Sequence, residues 1–105
     1  MRFRIRSSER DESVDADRLR SIERAIFAAI AAAEAEERGL KRRLEDARVR
    51  ASMLIGTETF EDRDQATESL LAGSEREFSA AARRVRQLAA HREHLQRVLG
   101  ALKQT

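Results

Sequence analysis

The apolar positions of the chain fall into two stripes. The first steps through Leu19, Ile22, Ile26, Ile30, Ala33, Leu40, Leu44, Ala47, Ala51 and Leu54, with Glu37 as the interruption. The second runs through Leu70, Phe78, Ala81, Val85, Leu88, Leu95, Leu99 and Leu102, with Thr67, Ser74 and Arg92 in its remaining places. Steps of three and four, averaging about 3.5, are those of one helix face packed along a coiled-coil-like seam. Two long amphipathic helices follow. The chain holds no Pro and is rich in Ala, Glu, Arg and Leu, residues that lose little side-chain freedom on a helix, so helix is expected nearly throughout.

The boundaries come from capping chemistry. Gly56 suits a left-handed helix end, Thr57 or Thr59 can cap the next helix, and Thr59 with Asp62 is spaced as a near capping box. These signals predict a first helix over about 15–55, opening at Ser13, Asp15 or Asp17, a turn at about 56–59 and a second helix over about 60–103. Residues 1–12 read as a basic flexible arm, and 13–105 as one helical hairpin domain. A second capping pair, Ser74 with Glu77 after Gly73, predicts a kink or short interruption there. Gly39 and Gly73 each lie 17 residues from Gly56 and would share one level of the hairpin, a spacing read as coincidence.

Charge sets the direction of pairing. Residues 7–37 hold nine acids against four arginines, and residues 78–105 hold six bases against Glu93. Residues 38–56 hold six bases against Glu45 and Asp46, whereas 57–77 hold seven acids against Arg63 and Arg76. A chain folding back at Gly56 sets each block against one of opposite sign; a parallel self-pairing sets like against like. Exposed pairs are worth only ~0–1 kcal/mol each, so they select direction more than they stabilise. The expected fold is all-α, an antiparallel helical hairpin.

One seam leaves apolar surface uncovered. Residues 25–33 are apolar almost all round, and Phe27 lies off the Ile26/Ala33 line, so one neighbouring helix cannot bury it. Ile26, Phe27, Ile30 and Phe78 are therefore expected at an interface between two copies, and a homodimer forming a four-helix bundle is the expected assembly.

Composition narrows the chemistry. With 105 residues, four Phe and no Trp or Tyr, the chain makes one small domain without bulk to line a substrate pocket, which argues against an enzyme and a small-molecule substrate. Absence of Cys removes disulfides and thiolate sites. His91 and His94 are spaced to share an ion, but zinc needs three or four ligands and no further donor motif is present, so both are expected as solvated surface groups and no metal or cofactor is expected. Glu34, Glu36 and Glu37 read as salt-bridged surface carboxylates, lacking the enclosure that acid–base catalysis requires. The longest apolar run, residues 25–33, is about half of the ~20 residues a membrane span needs. A soluble, cytoplasmic protein is the default expectation, and the preference for Arg over Lys suggests high-GC bacterial coding.

The function expected is that of a non-enzymatic, self-associating assembly, adaptor or scaffold protein that offers its free surface to a protein partner. In its Arg- and Glu-rich hairpin outline the chain resembles the coiled-coil stalk proteins of flagellar and type III export machines, which implies a secretion or motility accessory role. The small secreted Trp-x-Gly hairpins match in length, yet here the turn reads Leu54-Ile55-Gly56 without Trp or Tyr. The alternative is a nucleic-acid or nucleoid accessory protein gripping phosphates with Arg2, Arg4, Arg6 and Arg10.

Overall fold

The computed structural model describes residues 7–57 and 65–104. They form α1 (Ser8–Thr57) and α2 (Gln65–Lys103), and Ser7 and Gln104 alone among them lie outside a helix. The helices pack as an antiparallel hairpin in a rod of 96 × 17 × 16 Å. Direction is read from contacts across the seam: Glu36 meets Arg84, Glu37 meets Arg92 and Phe27 meets Lys103.

Three boundaries differ from expectation, each for a local reason. α1 opens at Ser8 and not at Ser13, Asp15 or Asp17, so residues 8–12 belong to the helix and not to a flexible arm. Ser7 caps it: its hydroxyl accepts from the Arg10 amide at 3.0 Å and its carbonyl from the Asp11 amide at 3.1 Å, with Glu9 and Asp11 placing negative charge in the first turn. Asp15 and Asp17 instead hold Arg18 and Arg20 along the helix face.

Gly56 lies inside α1, so the reversal falls between Thr57 and Gln65; the expected Thr59/Asp62 cap lies outside the described residues. α2 passes through Gly73 without a break. There the Ser74 hydroxyl donates to the Leu70 carbonyl at 3.0 Å, bonding back within the helix rather than capping a new one.

Moving the reversal shifts the register. Gly73 lies beside Ala47, Arg50 and Ala51, and Phe78 beside Leu40, Leu44 and Ala47. A Cβ on Gly39 or Gly73 would meet only an arginine tip of its own helix at 3.9 Å, so neither glycine serves a close helix approach. Gly39 and Gly73 do not share a level.

The core is small and sits where the stripes are most regular: Ile26, Ile30 and Ala33 on α1 and Leu88 on α2, the last only 2% exposed. Glu37 is buried with them. Toward the ends the same seam is open, with Leu19 at 39% and Ile22 at 49% exposure. Two helices cannot enclose a seam on their own, because each covers one side of the other and water reaches the flanks.

Candidate functional site

Two features distinguish this rod: a polar centre within the seam and apolar surface on its outside. The centre is built from the residues that interrupt each stripe. Glu37 on α1 and Arg92 on α2 occupy seam positions, and side chains on a helix lean toward its N-terminus, so in an antiparallel pair the two converge. Arg92 Nη2 donates to Glu37 Oε2 at 3.2 Å, and Lys41 Nζ lies 3.1 Å from Oε1. Each carboxylate oxygen thus has its own cation. Hydrogen bonding from Lys41, and then the Arg92 charge, hold the Glu37 carboxyl below its ordinary value against the opposing effect of burial. Arg92 Nε is buried with no hydrogen-bond partner among the described residues.

Glu37 is therefore not the surface carboxylate expected from sequence. Its neighbour Glu36 is: exposed, and held by Arg84 through Nε to Oε2 at 2.8 Å and Nη2 to Oε1 at 3.1 Å. That fork lowers the Glu36 pKa and raises that of Arg84. The arrangement joins and registers two helices. Its carboxylates are neutralised by fixed cations, so it presents no free base to a substrate.

The expected interface residues separate into two groups. Ile26 and Ile30 are buried within one chain. Phe27 is 49% exposed, with the Lys103 ammonium 5.5 Å from its ring centroid. Phe78 is half-buried in a groove of about 260 Å³ with Leu40, Leu44, Ala47 and Ala81, rimmed by Arg43, Arg50 and Glu77. The new register removes Phe78 from the neighbourhood of Phe27.

Of the basic cluster, Arg2, Arg4 and Arg6 lie outside the described residues, and Arg10 is exposed in the first turn of α1. His91 and His94 are exposed, and no cluster of metal-binding side chains forms among the described residues. Among these residues no helix is long and apolar enough to cross a membrane.

No family model matches the chain, and no curated protein or solved structure matches it.

What sequence reasoning missed is the Glu37–Arg92 contact. The signal was present: each is the charged break in an otherwise apolar stripe, and two opposite charges on facing stripes are best placed together.

Proposed function

We propose that this chain is a non-enzymatic assembly protein whose hairpin self-associates into a four-helix bundle and then serves as an adaptor or scaffold for a protein partner. The observation that carries this reading is the ratio of covered to uncovered apolar surface. Among the described residues four apolar side chains are buried, while Leu19, Ile22, Phe27 and Val98 stand 39–49% exposed at the same end of the rod. Large apolar side chains left this exposed at one end of a rod mark surface that works when covered. The secretion or motility role suggested by the hairpin outline belongs to this proposal.

Sedimentation equilibrium over a wide concentration range tests it. The expected result is a dimer of twice the 12.0 kDa chain mass that dissociates on dilution. A chain that stays monomeric at every concentration would remove the proposal.

A further inference from the structure

One face of α2 holds arginines that the hairpin leaves without a partner. Arg84 and Arg92 are tied to Glu36 and Glu37 across the seam. Arg76, Arg83, Arg86 and Arg97 are exposed, and none of them has an ion pair or hydrogen bond among the described residues. Leu88, the most covered residue of α2, points into the seam, so Ala90, two positions on and about 200° round the helix, points away from it. Residues seven apart share a face. Arg76, Arg83 and Arg97 therefore lie on the line of Ala90, and Arg86 is one turn from both Arg83 and Ala90. The four guanidinium groups stand along the outer side of the rod over ~31 Å, at 1.5 Å per residue from 76 to 97.

Between the arginines this face is low. Ala72, Ser79 and Ala80 line a shallow groove of about 460 Å³ between Arg76 and Arg83, with Glu75 beside it. Glu75 and Glu93 are the acids on this side, so four arginines meet two carboxylates and the net charge is +2. Among the described residues the exposed large apolar side chains of α2 lie elsewhere, Leu70 on the seam stripe and Val98 in line with Arg84. No Phe lies on this face, and the chain has no Tyr or Trp.

These features identify the occupant. A protein partner is held through an apolar centre, which this face does not offer, and an unpaired nucleic-acid strand through stacking on aromatic rings. The phosphate backbone of a duplex needs neither. Guanidinium forks fit pairs of phosphate oxygens, and the small side chains between them let the backbone approach. The row is about as long as one turn of duplex, ~34 Å. We infer that the outer face of α2 binds the phosphate backbone of duplex DNA, without regard to base sequence, through Arg76, Arg83, Arg86 and Arg97. This surface goes beyond the assembly role proposed above and does not rest on it.

Fluorescence anisotropy of a labelled DNA duplex of about two turns, titrated with the full chain, tests the assignment. Four phosphate contacts predict a log–log slope of affinity on salt of roughly −3 to −4, a loss on the order of 100-fold between about 50 and 200 mM salt. Arg83→Gln with Arg86→Gln, its helical content checked by circular dichroism, is expected to weaken binding about tenfold or more at the lower salt and to cut the slope by about 2. Arg2→Ala with Arg4→Ala and Arg6→Ala is expected to keep the slope, and Glu75→Gln to tighten binding. Four results would overturn the assignment: no binding at the lower salt, a slope that the Arg83 and Arg86 substitutions leave intact, a slope lost with the N-terminal arginines instead, or equal displacement of the duplex by polyglutamate at matched charge. None of these bears on sedimentation of the chain, so self-association stands or falls separately.

Discussion

Leu88 is the most deeply covered apolar side chain of the seam, and replacing it with Ala tests whether the seam holds the hairpin together. The substitution removes three carbons' worth of buried surface, about 2.5 kcal/mol at ~0.8 kcal/mol per carbon. Leu→Ala changes in deep cores cost about 2–5 kcal/mol, the upper part of that range coming from the cavity left behind. A two-helix seam is open on both flanks and can close on the gap, so the lower end applies. For a chain of this size, ~2.5 kcal/mol lowers Tm by roughly 10–20 °C. The matched control is Leu70→Ala: the same atoms are removed at a position 62% exposed, with an expected cost within about 0.5 kcal/mol. Thermal and urea melts followed by circular dichroism at one fixed protein concentration measure both. Equal losses for the two variants would refute the reasoning, because burial would then not decide the cost.

The part-buried ion pair in the seam gives two further expectations. Arg92→Leu leaves the covered Glu37 carboxylate with Lys41 alone and should lower the urea midpoint, whereas Glu37→Leu with Arg92→Leu should recover or exceed wild-type stability; a double variant as unstable as the single one would contradict this. Because the folded-state pKa values of Glu36 and Glu37 are depressed below 4.5, their contribution is complete above that value and fades as pH falls through it toward the folded-state values. Urea midpoints between pH 7 and 3 should drop for the wild type and drop less for Glu37→Gln, and parallel curves would contradict the assignment. Gly39→Ala and Gly100→Ala should each stabilise by about 0.5–1 kcal/mol in the same melts, since both glycines are helical, neither has positive φ, and the space for a Cβ is open or holds one flexible arginine tip. A loss at either site would point to a neighbour the structure does not show.

Much of this architecture is legible in the pattern of residues. The stripes from Leu19 and from Leu70 specify two helices, and the alternating charge blocks specify that they run in opposite directions. Register is less legible, because a repeat near 3.5 looks the same after a shift of one heptad. Gly56 suggests a turn through its conformational freedom, yet a glycine in a helix interior costs only ~1 kcal/mol, and α1 runs past it to Thr57. Gly73 and Ser74 misled for the same reason, a local capping signal outweighed by the continuity of the seam around it. The small cap at Ser7 went unread because Arg10, and not Glu or Gln, follows three residues later. The pair within the seam that helps to fix register, Glu37 against Arg92, is legible only when the two charged breaks in the stripes are treated as partners.

The reversal of the chain is tested most directly by a distance between spin labels at Ala35→Cys and Arg86→Cys, exposed positions on α1 and α2 near one level of the rod. Labelled chains diluted into an excess of unlabelled protein report the separation within one molecule. Helices packed at 8–10 Å between axes predict a distribution centred at roughly 20–30 Å. A single distribution near 75 Å, the span of the intervening residues in one uninterrupted helix at 1.5 Å per residue, would contradict the hairpin.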